Sequence, residues 1–158
     1  MSSSRAGPSA VLPGVPEELV LAFVSVNGAS AACATHGDAA TVAVLARYYA
    51  IVADAIAATD GDVIKVMGDG VLVAFPFERA GDAVAALHVA QERASAEWRA
   101  FDARCSVVVR ATAGPVLRVS LGPPGSERPD VYGHALNELY RLTPGEFVLA
   151  PQISAKLT

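Results

Sequence analysis

The chain has 158 residues, of which 53% are apolar and 18% charged, and carries a formal net charge of −4. That length suits one domain, and so apolar a composition excludes disorder for most of it. No Lys/Arg stripe interrupts the acidic balance, which excludes a nucleic-acid binder, and no uninterrupted apolar run reaches ~18 residues, so membrane insertion is not expected.

Residues 1–16 are rich in Ser, Pro and Gly and predict a flexible leader ahead of a single domain over 17–158. LVLAFVSV (19–26) is a continuous apolar, β-branched run, the pattern of a strand buried on both faces. NGAS breaks it, and a helix is predicted over 38–58, where Val42, Leu45, Tyr49, Val52 and Ile56 form one apolar stripe. DVIKVMGDGVLVAF (62–75) predicts a hairpin turning at Gly68-Asp69-Gly70, because Asp-Gly tolerates the positive φ of a tight turn. A second helix follows over 80–99, with Val84, Leu87, Ala90 and Gln91 marking its faces. SVVVRATAG and PVLRVSL (106–121) read as two strands broken at Gly114-Pro115, and LGPPGSERP as a loop. VYGHALNELYRL (131–142) reads as a short helix and EFVLA (146–150) as a last strand. The resulting order, β-α-β-β-α-β-β-α-β, describes an α+β fold with helices on a mostly antiparallel sheet and a ferredoxin-like βαββαβ core.

Two clusters hold side chains that chemistry would use. Asp69 stands at the hairpin tip, with Lys65 four residues earlier on the incoming strand. Turn geometry accounts for the aspartate and a solvated strand face for the lysine equally well. In PDVYGHALNELYR, Asp130 is followed by Asn137 and Arg141, which a helix places on one face. A solvated helix end with Asp130 near its N-terminus accounts for these three as well.

Together, IKVMGDGVLVAF and DVYGHALNELYRL, in this order of elements, resemble the catalytic domain of the class III nucleotidyl cyclases, over about residues 19–152. The resemblance implies two-metal nucleotidyl transfer, with Mg²⁺ or Mn²⁺ as cofactor: a ribose 3′-hydroxyl attacks the α-phosphate and pyrophosphate leaves. It implies a site shared between two domains in a head-to-tail dimer, so a homodimer is the expected partner state. Residue by residue, it implies Asp69 as a metal ligand and Lys65 with Asp130 as the pair that reads an adenine edge. Asn137 would orient the ribose and Arg141 would stabilise charge in the transition state. That base-reading pair leans the chain to ATP over GTP. Gly28, with Asn27, Ala29 and Ser30, would offer backbone N–H groups to a phosphate at the start of the first helix.

The chain also departs from the family. Where the family's first strand ends F-x-D-x-x-G-F-T, this one reads Phe23-Val24-Ser25-Val26-Asn27-Gly28-Ala29-Ser30, so Ser25 replaces a metal-binding aspartate. A neutral hydroxyl does not balance a dication, and the loss is expected to cost about 10²-fold or more in rate. Glu138, Leu139 and Tyr140 stand where the family has small residues; such bulk either fills the nucleotide cleft or, for Tyr140, turns outward. Eight residues follow Ala150, so the family's last hairpin, which brings a lysine to the triphosphate, is expected to be missing.

Two functions therefore stand side by side. One is a degenerate cyclase domain acting as a nucleotide-binding or regulatory dimerisation module. The other is a working adenylyl cyclase of reduced activity, alone or as the base-reading half of a heterodimer with a chain that carries both aspartates. Cys33 and Cys105 lie far apart outside any C-x-x-C pattern, which suits reduced thiols in a cytoplasmic, bacterial-looking protein. His36, His88 and His134 share no metal-ligand spacing. Arg110 and Arg118 read as solvated strand residues, and Trp98 and Phe101 as core or dimer contacts.

Overall fold

The computed structural model describes residues 14–157, so most of the proposed leader lies outside the described residues. β1 (Glu17–Asn27) is the long apolar run, and both its faces are covered. Val20, Ala22, Val24 and Val26 enter the larger core, while Leu19, Leu21 and Phe23 join a smaller one on the opposite side. Such a strand has to sit inside a sheet, and it does. After α1 (Ala29–His36) and α2 (Asp38–Ala57) come β2 (Asp62–Met67), β3 (Gly70–Pro76), α3 (Ala80–Phe101) and β4 (Ser106–Leu121). The order β2-β3-β1-β4 with antiparallel neighbours is the ferredoxin-like arrangement. β5 (Arg128–Tyr132), α4 (His134–Arg141), β6 (Phe147–Leu149) and α5 (Pro151–Leu157) complete it, with β5 antiparallel and β6 parallel to β4.

α2 and α3 cover one face of the sheet. The stripe of α2 that packs there is Thr41, Val44, Tyr48, Val52 and Ile56, one residue out of step with the predicted one at its N-terminal half. Val42 stays 62% exposed, and Tyr48 rather than Tyr49 enters the core. The reason is a hydrogen bond: the Tyr48 hydroxyl finds acceptors beneath the sheet, so its polar end need not reach water. By length and composition α2 would also suffice to cross a membrane; here that buried stripe and the ion pairs of Asp54 and Arg47 with Arg93 and Glu97 seat it against the sheet and α3.

Elsewhere the structure corrects the predicted elements. Residues 106–121 form one strand, not two, because Gly114 and Pro115 sit opposite Leu19 and Glu18 near the end of the β1 ladder, where a missing N–H is tolerated. Gly114 is needed for packing, since Ala135 of α4 lies 3.0 Å from where its Cβ would be. Residues 128–132 are a strand rather than loop and helix start, so Asp130 belongs to β5 and not to a helix N-terminus. α1 and α5 are additional helices that no apolar periodicity marks.

β4 outruns β1 and continues as a ribbon with β5, and that ribbon closes the sheet upon itself. Lys65 of β2 reaches Asp130 of β5 at 3.0 Å, and Arg118 of β4 reaches Glu17 at 3.1 Å and Asp62 of β2 at 3.6 Å. The two edge strands thus meet around the smaller core, where Ala135, Leu136 and Leu139 of α4 pack on Leu19, Leu21, Leu72, Val116 and Val131.

α1 buries only Ala32 in the larger core and is tied down further by charge. Asp102 accepts from the Arg104 backbone N–H at 2.9 Å and the Arg104 guanidinium at 2.7 Å, and meets His36 Nε2 at 3.1 Å. Arg104 also reaches Thr35 at 2.8 Å. Hydrogen bonds from the Arg104 side chain and then its backbone hold the Asp102 carboxyl well below the usual carboxylate range. A depressed folded-state pKa gives stability that is full above the unfolded value of about 3.9 and is lost as pH falls through the folded one. Asp102→Asn is therefore expected to lower the urea midpoint at neutral pH, with the difference shrinking as pH falls below the unfolded value of about 3.9.

Candidate functional site

The hairpin tip is the best-fixed part of the site. Met67 pairs with Gly70, leaving Gly68 and Asp69 as the loop. The positive φ falls on Gly68, at +61°, and not on Asp69, which is the pattern of a type II′ turn. Gly70 serves a different purpose: a Cβ there would collide with the Phe23 ring. Asp69 Oδ2 accepts from the Val26 N–H at 3.1 Å, which sets its carboxylate against the end of β1. From the other side, the Tyr48 hydroxyl lies 2.9 Å from the Asp69 carbonyl and 3.1 Å from that of Val24, and Tyr49 bonds the Gly68 carbonyl. Burial first, and then the negative charge of Asp69, push the Tyr48 phenol far above its usual value, so it remains a donor. These two tyrosines position the tip, and their consecutive placement on α2 is the only sequence signal for it.

Ser25 lies next to Val26 and opens onto a cleft of about 480 Å³ shared with Asn27, Val108, Arg110, Pro144, Gly145 and Glu146. Arg110 is more than a solvated strand residue. Its guanidinium lies over the Phe23 ring, 5.6 Å from the centroid, and donates to the carbonyls of Tyr140 and Leu142 at 3.3 and 3.4 Å. It thereby caps the C-terminal end of α4 while facing the cleft.

Two divalent cations require several charged oxygens. Here Asp69 already spends one oxygen on Val26, and Ser25 offers a neutral hydroxyl. Among the described residues no three of His, Cys, Asp and Glu come together as a ligand set. Asp69 with Ser25 does not fit a two-cation centre.

Lys65 and Asp130 do come together, at 3.0 Å, with side chains 35% and 20% exposed. The second Asp130 oxygen accepts from the Val131 N–H at 2.8 Å, which fixes the carboxylate's orientation. Asn137 and Arg141 share the exposed side of α4, since Ala135, Leu136 and Leu139 take the buried one. Arg141 lines a separate cleft with Glu138, Leu142, Ala150, Pro151 and Gln152. The Tyr140 ring meets Phe23 edge-on at 5.4 Å, and its phenol interacts electrostatically with Lys65 and Asp130. Gly28 caps α1 at φ +86°, and a Cβ there would lie 2.7 Å from the Arg104 carbonyl, so glycine is required by both backbone and packing.

The six-stranded sheet with its ferredoxin-like core, closed by the β4–β5 ribbon around α4, is the fold of the class III nucleotidyl cyclase homology domain. No family model matches the chain, and no curated protein matches it by sequence. Among solved structures it is similar to a bacterial light-regulated adenylyl cyclase, with a TM-score of 0.81 and 19% identity over 94% of this chain and 47% of that one. The chain thus spans about half the length of that relative. It is also similar to the guanylyl cyclase Cya2, with a TM-score of 0.78 and 19% identity over 93% of this chain and 81% of that one. A class III adenylyl cyclase-like ATP-binding protein from Pseudomonas aeruginosa superposes with a TM-score of 0.73 at 14% identity, over 89% of this chain and 35% of its own.

Removing the Tyr48 hydroxyl leaves buried acceptors short of a donor at the hairpin tip. Tyr48→Phe is expected to cost about 1–3 kcal/mol in urea unfolding and to raise amide exchange at Asp69 and Gly70, whereas Tyr49→Phe, at a half-buried position, costs less.

Proposed function

We propose that the chain is a class III cyclase homology domain whose metal centre is impaired, acting as a nucleotide-binding dimerisation module with little or no cyclase activity. The observation that carries this reading is Ser25 at the end of β1, one residue from the N–H that engages Asp69. With one charge where a two-cation site needs several, the attacking and leaving oxygens have no clamp. The likeness to a class III adenylyl cyclase-like ATP-binding protein supports a nucleotide role.

The base-reading half argues for a retained ligand. Lys65 can donate to a purine ring nitrogen and Asp130 can accept from an exocyclic amine, which favours adenine over guanine, and the two are held within 3.0 Å of each other. Arg110, facing the cleft that Ser25 lines, is the cation available to phosphate oxygens. The expected partner is a second copy of this chain. The same Lys65–Asp130 geometry favours a second reading, in which this chain supplies the base-reading half to a cyclase domain that carries both aspartates.

Purified protein is expected to bind ATP weakly, with Asp130→Ala lowering affinity by about 10-fold, the loss of one good polar contact. With ATP and excess Mn²⁺, mass spectrometry should find no cyclic AMP above the level of an Asn137→Ala control. Product that Asn137→Ala abolishes would make the chain a working cyclase and end the proposal. Ser25→Asp restores a carboxylate to the end of β1 and is expected to raise any product by about 10²-fold.

A further inference from the structure

Across the sheet, Lys65 of β2 stands opposite Leu72 of β3, Leu72 opposite Phe23 of β1, and Phe23 opposite Arg110 of β4. Phe23 and Leu72 belong to the smaller core, on the face that carries α4. The Tyr140 ring settles onto the middle of this row, edge-on to Phe23 at 5.4 Å and 82°. Arg110 anchors it from the far side: its guanidinium covers Phe23, and it bonds the Tyr140 carbonyl at 3.3 Å. The phenol is held in a half-buried setting that feels Lys65, Asp130 and Arg110 at once, and burial pushes its pKa up.

A purine read by Lys65 and Asp130 must lay its edge against both and its ring over the neighbouring strand. The row from Lys65 runs over Leu72 to Phe23, and the Tyr140 ring packs on Phe23. We infer that Tyr140 covers the Lys65–Asp130 pair, so that an adenine nucleotide engages the two residues only after the ring swings away. The inference rests on the reading of Lys65 and Asp130 as base-reading residues. Tyr140 remains 39% exposed, so the swing meets open solvent on one side. Apparent affinity is divided by the fraction of molecules in the open state, and an open fraction of about a tenth weakens nucleotide binding by about 10-fold.

Two measurements on Tyr140→Ala and Tyr140→Phe separate occlusion from nucleotide binding. The chain has only two lysines, Lys65 and Lys156, and Lys156 lies on α5 over the Phe77 ring at 4.7 Å. Acylation by an N-hydroxysuccinimide ester, read by mass spectrometry, therefore reports the cover over Lys65 with Lys156 as internal reference. Tyr140→Ala is expected to speed Lys65 acylation by about 3- to 10-fold at constant Lys156 rate, and Tyr140→Phe to leave it unchanged. In calorimetry, Tyr140→Ala is expected to bind ATP about 10-fold more tightly than the wild type, and Tyr140→Phe to match the wild type. Faster Lys65 acylation with no ATP binding in any variant supports the occlusion and overturns the nucleotide reading instead. Unchanged Lys65 acylation in Tyr140→Ala overturns the occlusion, as does weaker ATP binding by that variant, which would make the ring a stacking wall.

Discussion

The fold depends on β1 being buried on both faces. A strand of eleven residues whose centre carries no surface-compatible side chain has to be covered twice. α2 and α3 cover one side through Val20, Ala22, Val24 and Val26, and the smaller core beneath α4 covers the other through Leu19, Leu21 and Phe23. One eight-residue helix is too short to cover that face alone, and Val116 of β4 and Val131 of β5 share the task. β4 therefore runs on past β1, folds back with β5, and brings its charged residues to β2. The ion pairs that close the sheet are a consequence of having to shelter β1's second face, and they are what bring Lys65 to Asp130.

That dependence decides what the sequence could disclose. The continuous run 19–26 and the hairpin at Gly68-Asp69-Gly70 are local patterns, and both stand where their spacing puts them. The inward face of α2 is not local. Tyr48 and Tyr49 are equivalent in hydropathy, and only the acceptors on Val24 and Asp69 select the first. β5 is hidden for a similar reason: RPDVY carries a proline and two charges, and it becomes a strand only because β4 offers an unpaired edge. Arg110 looked solvated because its partners, a ring on β1 and carbonyls at the end of α4, are distant in sequence. Lys65 and Asp130 are sixty-five positions apart. Residue spacing alone leaves them in separate clusters, and the family resemblance supplied their pairing before the geometry did.

The site divides into a stiff end and a soft end. At the stiff end, Asp69 is fixed by a β1 amide, a buried tyrosine and a glycine that admits the Phe23 ring. These contacts hold the Asp69 carboxylate against the end of β1, beside Ser25. At the soft end, Lys65 and Asp130 are each partly open to water, and such a pair contributes at most about 1 kcal/mol. A ligand can part them at little cost. Ser25 falls at the stiff end, beside the amide that holds Asp69, and the ring of Tyr140 falls at the soft end, where it is partly open to solvent. On the proposed reading, such a scaffold would give up turnover while ligand access stayed conditional on a side-chain rotation, as suits a domain that reports a nucleotide without consuming it.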